Sequence, residues 1–154
     1  MTLIEWRDAA TIAGVVIALS TLIKSAFEYT KQGAQKRAEQ FENLRIRFKD
    51  DPMFRRICDL LEHDDPKLEA IAFKEKRDFL GFFEEVALMV NSGLMKPSVA
   101  HYMFGYYAIK CWQSDNFWNG VNRNSPYWWL FRDFAQRMSE TEKKFRFVRR
   151  NYRF

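Results

Sequence analysis

The longest uncharged stretch of the chain is the run of fifteen residues from Ala9 to Ile23. As a helix rising about 1.5 Å per residue, it covers about 22 Å, which is less than the bilayer's hydrocarbon core of about 30 Å. Trp6 and Tyr29 flank the run, and such aromatic residues are typical of membrane–water interfaces. We therefore predict one transmembrane helix. The alternatives are a buried core helix and a signal peptide, although MTLIEWRD is not the basic start that a signal needs.

The two sides of this predicted helix differ in the size and polarity of their residues. Branched apolar residues occupy one side, and small or hydroxyl-bearing residues occupy the other. Lipid cannot accept a hydrogen bond from a hydroxyl group, whereas a neighbouring helix or a water-filled lumen can. We therefore expect the polar side to form an oligomer contact or to line a pore, unless its hydroxyl groups bond to their own helix. Its residues are Thr11, Gly14, Ala18, Thr21 and Ser25.

Basic residues follow the uncharged run closely, among them Lys24, Lys31 and Arg37. By the positive-inside rule they remain in the cytoplasm, so we expect a single-pass plasma-membrane protein whose C-terminal part is cytoplasmic. No proline interrupts the chain before Asp51-Pro52. We therefore predict that residues 1–49 form the transmembrane anchor and a juxtamembrane stalk helix.

Apolar residues beyond the stalk recur at helical spacing, and no segment alternates long enough to indicate a strand. Asp-Pro steps favour helix starts, because Asp caps free N–H groups and Pro fits the first turn. We predict an all-α fold in which residues 50–142 form a cytoplasmic bundle of four or five helices. The helices are expected to begin at Asp51-Pro52, near Phe73, at Lys96-Pro97 and at Pro126. Gly93 should end the helix that begins near Phe73, and residues 116–125 should form a loop.

Composition supports a folded helical protein. The chain has 154 residues, enough for one domain, and aromatic residues make up 17% of it against 6 Gly and 4 Pro. This argues against a disordered chain and against a turn-rich β protein. Cys58 and Cys111 show no metal-binding spacing, so we expect two buried thiols in a reducing compartment.

The net charge of +5 is concentrated at the C-terminus, where KKFRFVRRNYRF follows Glu142 without an acidic residue. Basic residues interleaved with aromatic ones are suited to binding nucleic acid or an anionic lipid surface. Alternatively, the aromatic rings pack on the bundle and the charges are solvated. We therefore treat residues 143–154 as a basic aromatic tail. Its candidate nucleic-acid or lipid-binding residues are Lys143, Lys144, Arg146, Arg149, Arg150 and Arg153.

Candidate catalytic residues are few. Arg56 and His63 are separated by six residues. This is the Arg-x4-6-His spacing of HEPN-type ribonucleases, which are named for higher eukaryotes and prokaryotes nucleotide-binding. In those enzymes the pair activates a 2′-hydroxyl group of the RNA. Chance also produces this spacing, so a non-catalytic protein is the first expectation and a dimeric ribonuclease the alternative. We expect no metal ion and no cofactor. If Glu84 is buried, it should pair with Arg77 or Arg123.

One segment resembles a known family. FLGFFEEVALMVNSGLMKPSVAHYMFGYYAIKCW, from Phe79 to Trp112, resembles the signature of a prokaryotic family of unknown function. Its members join one N-terminal membrane helix to a cytoplasmic helical domain. The chain is also similar in size and anchor position to the pore-forming membrane accessory protein of RNA-targeting CRISPR loci, which carries a HEPN-like motif near its C-terminus. Here Arg149-Arg150-Asn151 is not followed by His, so the chain departs from that motif.

The resemblance implies an oligomeric accessory or effector protein of the prokaryotic inner membrane, acting in antiviral defence. It would form a pore or perturb the bilayer when RNA or a CRISPR effector complex engages the cytoplasmic domain. Its expected partners are copies of itself and the lipid bilayer, with RNA or a CRISPR effector complex as the signal. A HEPN-like ribonuclease and a non-catalytic membrane tether or scaffold are the alternatives.

Overall fold

The computed structural model describes residues 3–144 of the chain, and the side chains of residues 14–144 except Thr30 and Ala34. Within these residues every regular element is helical, which confirms the predicted all-α fold. A π-helical segment, His101–Gly105, connects α4 to α5, and short 3₁₀ turns occupy Pro66–Leu68 and Pro126–Trp128. The helices are α1 (Leu3–Asp50), α2 (Pro52–Leu61), α3 (Phe73–Asn91), α4 (Pro97–Ala100), α5 (Tyr106–Gln113), α6 (Asp115–Trp118) and α7 (Trp129–Lys143).

The chain divides into two units, Met1–Ala38 and Glu39–Phe154. In the first unit the described residues belong to α1. Among the residues that the structure describes, no helix has the combination of length and apolar character that spanning a membrane requires. The side chains of Ala9–Ala13, which begin the predicted transmembrane run, lie outside the described residues.

Local sequence signals account for several of the element boundaries. The carboxylate of Asp51 accepts hydrogen bonds from the backbone N–H groups of Met53 (2.8 Å) and Phe54 (3.2 Å), which confirms the predicted start of α2. Asp65 caps the following 3₁₀ turn in the same way. Gly93, immediately beyond α3, has a φ of +68°, a conformation that glycine adopts without strain.

The predicted loop over residues 116–125 is wrong at its beginning. Asp115–Trp118 is a helical turn, and the Ser114 hydroxyl oxygen caps it by accepting a hydrogen bond from the N–H of Phe117 at 2.9 Å. Phe117 and Trp118 are both buried. The cap and the burial of two aromatic rings stabilise a turn that the Asn-rich composition obscures.

Phenylalanine rings form the centre of the second unit. Phe79, Phe82 and Phe83 of α3 are all fully buried. The ring of Phe83 contacts that of Phe79 at 5.1 Å on its own helix and that of Phe131 on α7 at 5.7 Å between centroids. Such edge-on and tilted pairs add to the free energy gained by burying the rings. α3 therefore supplies three of the rings at the centre of this unit, and it packs directly against α7.

The end of α1 contributes to the same core. The ring of Phe48 stacks on Phe82 with 5.1 Å between centroids and meets the edge of Phe104 at 5.5 Å. Arg47 donates to the carboxylate of Glu85 on α3 at 2.8 Å. The last turns of α1 are therefore held to α3 by ring packing and by a surface ion pair.

A polar contact joins the end of α2 to α5. The hydroxyl groups of Tyr106 and Tyr107 donate to the carboxylate of Glu62 at 2.7 and 2.9 Å, and Lys110 donates to its backbone carbonyl at 3.2 Å. These hydrogen bonds, first that of Tyr106 and then that of Tyr107, lower the pKa of Glu62. A further hydrogen bond joins the turn after α2 to the residue that follows α5, since the hydroxyl group of Ser114 donates to the carboxylate of Asp64.

Replacing Phe83 by Ala should lower the free energy of unfolding by about 3–5 kcal/mol, because it leaves a cavity among rings that cannot collapse around it. Urea denaturation of the full-length protein, followed by circular dichroism, measures the change. Leu88→Ala on the same helix is the control, because Leu88 is 55% exposed and its removal leaves no internal cavity. Equal losses in the two variants would contradict the packing described here.

Replacing Glu62 by Gln should destabilise the protein at neutral pH and have less effect in acid. A carboxyl group whose folded pKa is lowered stabilises the fold above its ordinary pKa of 4.5, and this stabilisation is lost as pH falls through the folded value. The difference in unfolding free energy between wild type and Glu62→Gln should therefore shrink between pH 7 and pH 3. Glu28→Gln, an exposed change in the first unit, controls for net charge. A difference that stays constant over this range would refute the linkage.

Candidate functional site

Arg56 and His63 do not form a site within one chain. Arg56 lies in α2 and His63 follows the end of that helix, and both side chains are exposed. Within the described residues, no hydrogen bond or ion pair joins them. Pairing across two subunits is the form that the ribonuclease hypothesis requires, and the hypothesis stays a prediction.

Both cysteines are free and buried, as the sequence predicts. Burial raises the pKa of Cys58 to about 12, with smaller contributions from the negative charges of Asp59 and Glu62. Burial also raises the pKa of Cys111 well above its ordinary value. Both thiols are therefore protonated at neutral pH and are weak nucleophiles. Among the described residues, no group of three or more His, Cys, Asp or Glu side chains is placed to hold a metal ion.

Lys76 is a buried cation that sequence reasoning missed. Its side chain is only 2% exposed; its ammonium group donates to the carbonyl of Asn119 at 3.2 Å and lies 5.6 Å from the ring of Phe117. Desolvation lowers its pKa. In the sequence, the stretch KEKR around Lys76 has the composition of a solvated surface. The contacts of Lys76 indicate that it fastens the loop after α6 to α3.

Glu84 is half-buried, but its partner differs from the predicted one. Burial raises its pKa, and a hydrogen bond from the backbone N–H of Phe131 partly offsets the rise. Arg77 instead pairs with Asp78, and Arg123 pairs with Asp115. Glu84 therefore serves the first turn of α7, where backbone N–H groups lack partners within the helix.

The N-terminal part of α1 exposes apolar side chains on its surface. Val16 is 56% exposed, Leu22 68% and Tyr29 80%. The hydroxyl groups of Ser20 and Thr21 donate to the carbonyls of Val16 and Ile17 one turn earlier, both at 2.8 Å. These two hydroxyl groups are thus satisfied by their own helix; of the hydroxyl-bearing residues predicted for the polar side, this holds for Thr21.

The small-residue side of α1 is exposed as well. Gly14, Ala18, Thr21 and Ser25 are all solvent-accessible, and a Cβ added at Gly14 meets no atom within 4 Å. The side chain of Thr11 lies outside the described residues. The described part of the chain therefore leaves room for another helix along this side.

Most of the predicted basic tail lies outside the residues that the structure describes. Lys143 ends α7 and Lys144 follows it, and both side chains are exposed. The remaining candidates, Arg146, Arg149, Arg150 and Arg153, lie beyond the described residues. The nucleic-acid or lipid-binding role of the tail stays a prediction.

A surface groove of about 370 Å³ lies between the end of α1, α2 and the π-helical segment, and we refer to it as the basic groove. Its floor is apolar and its rim carries three cations and one acid. The floor is formed by Phe48, Cys58, Met103, Phe104 and Tyr107, and the rim by Arg45, Lys49, Arg55 and Asp59. Sequence reasoning missed this groove, although the spacing of Arg45, Phe48 and Lys49 places all three on one side of α1.

The described residues thus include apolar surfaces on α1 and in the basic groove, and the candidate residues on these surfaces do not combine a nucleophile with an adjacent base. Arrangements of this kind bind lipid, another helix or a peptide. Comparison of the chain with protein-family models, curated proteins and solved structures finds no match.

Proposed function

We propose that the protein is a self-associating membrane tether, anchored by the N-terminal part of α1 and presenting its second unit on the cytoplasmic side. The observation that carries this proposal is the contrast in burial between the two units. Glu39–Phe154 contains a closed aromatic core, whereas the apolar side chains of residues 15–23 are exposed. A surface of this kind needs an apolar covering.

The free energy available from covering it is large. Six branched apolar side chains in this region are each more than half exposed: Val15, Val16, Ile17, Leu19, Leu22 and Ile23. Full burial of one such side chain contributes about 1.5–3 kcal/mol, so completing the burial of six contributes on the order of 5–10 kcal/mol. A hydrocarbon environment supplies that burial without a complementary protein surface.

The hydroxyl groups favour a lipid-facing tether over a polar pore. Because Ser20 and Thr21 already donate to carbonyls of their own helix, their exposure to lipid leaves no unsatisfied donor. A water-filled lumen is therefore not needed to satisfy them. The small residues Gly14 and Ala18, separated by one turn, instead suit a close contact between two copies of the helix.

The exposed positions of Arg56 and His63 favour the tether over a catalytic role for one chain. The pore-forming and antiviral roles that the resemblance implies stay predictions. The tether needs only the anchor and a surface that receives a partner.

Ile17→Lys combined with Leu19→Lys should release the full-length protein from membranes. Each charge placed at the centre of a transmembrane helix costs about 2.5–3.5 kcal/mol, so the pair should shift partitioning by about 10³-fold or more. Extraction of membranes with alkaline carbonate, followed by immunoblotting of pellet and supernatant, measures the shift. Gln35→Lys with Gln40→Lys adds the same charge to exposed positions further along α1 and should leave the protein in the pellet. Release of the wild-type protein by carbonate would end the anchor proposal.

Gly14→Leu combined with Ala18→Leu should reduce the oligomer to monomers, because two bulky side chains keep helix backbones from close approach. Sedimentation in detergent measures the mass of the protein part. Val16→Leu with Ile23→Leu changes the branched side of the same helix and should leave the mass unchanged. An oligomer that survives the first pair would exclude this side as the contact.

A further inference from the structure

We propose that the basic groove is a docking site for an acidic amphipathic segment of a partner protein. One apolar side chain of that segment would insert between Phe48, Met103 and Tyr107, and its carboxylates would meet the cations of the rim. The inference depends on the described contacts of the second unit and is independent of membrane anchoring.

The charge of the rim selects an acidic partner. Of the residues lining the groove, Arg45, Lys49 and Arg55 are cationic and Asp59 is the acid. Arg45 pairs with Glu42 at 3.0 Å, but both side chains are about half exposed, and surface pairs of this kind exchange partners at little cost. Lys49 and Arg55 make no ion pair with a described residue. The rim therefore retains positive charge available for carboxylates of a ligand.

The floor selects an apolar side chain rather than a nucleobase. Other rings surround that of Phe48: Phe82 stacks on it at 5.1 Å, and Phe104 and Tyr107 lie at 5.5 and 5.9 Å. A nucleobase needs an open ring face to stack on, and Phe48 offers little of its own. Met103 is half-buried and adaptable in shape, so the floor suits an aliphatic or aromatic anchor residue of a peptide.

The π-helical segment is a second indication that the groove is built for binding. Such segments distort a helix, and they occur frequently at functional sites. Here His101–Gly105 carries Met103 and Phe104, which line the groove. A Cβ at Gly105 would lie 2.9 Å from the Cδ2 atom of His101, so a larger residue there would force the histidine side chain to shift. The local distortion thus coincides with the groove wall.

The test selects peptides against the full-length protein in detergent. A phage library displaying random 16-residue peptides is the probe, and a synthetic copy of the most enriched peptide is then titrated by fluorescence anisotropy. We expect enriched sequences to be acidic, with apolar residues three or four positions apart. Enrichment of basic or uncharged peptides, or no enrichment, would overturn the proposal.

Two groove variants and one control locate the binding. Lys49→Glu with Arg55→Glu should weaken binding of the synthetic peptide at least tenfold, and Met103→Ser should weaken it about three- to tenfold. Lys67→Glu with Lys96→Glu makes the same change in net charge at exposed positions outside the groove and should change affinity less than twofold. Equal weakening by the control pair would show that net charge alone attracts the peptide and would refute the site.

Two further ligands separate the peptide from other classes of partner. A 16-nucleotide single-stranded RNA and vesicles of phosphatidylglycerol are titrated against the same variants. We expect neither to be displaced by the peptide nor to lose affinity in Met103→Ser. If either ligand competes with the peptide and depends on Met103, the groove is not a peptide site of the proposed kind.

Discussion

The packing of the Phe48 ring attaches the end of α1 to the aromatic core of the second unit. This side chain contacts aromatic residues of α2, α3, the π-helical segment and α5. Because the Phe48 ring contacts all four of these elements, the last turns of α1 are part of the aromatic core of the second unit. No comparable ring cluster forms among the described residues of the first unit. α1 therefore packs against the core through its last turns and is exposed over residues 14–29, and the proposed division between presentation and anchoring follows from that difference.

Helix starts were predictable at the Asp-Pro steps, although the Ser114 cap of α6 was missed. Asp51 and Asp65 each cap the turn that follows, and Asp-Pro steps are recognisable without knowledge of the fold. The end of α3 was likewise predictable from the sequence, because its wide apolar face stops just before Gly93. In these cases the physical cause lies within four residues of its effect, so the sequence displays it.

Features that depend on distant contacts escaped prediction. The ammonium group of the buried Lys76 contacts Phe117 and Asn119, which lie more than forty positions away in the sequence. Glu84 bonds to the first turn of α7 rather than to an arginine because α7 packs beside α3. The basic groove draws its lining from three separate stretches of chain. Such sites arise from tertiary packing, which residue spacing within one segment does not reveal.

The close contact between Gly105 and His101 also restricts how this chain can change in evolution. Any side chain at position 105 would overlap the imidazole, whose Cγ and Cβ atoms lie 3.3 and 3.5 Å from the position of the missing Cβ. A substitution at 105 therefore requires the side chain of His101 to shift. A smaller residue at position 101 should relieve the overlap, so the effects of changes at the two positions should not be additive.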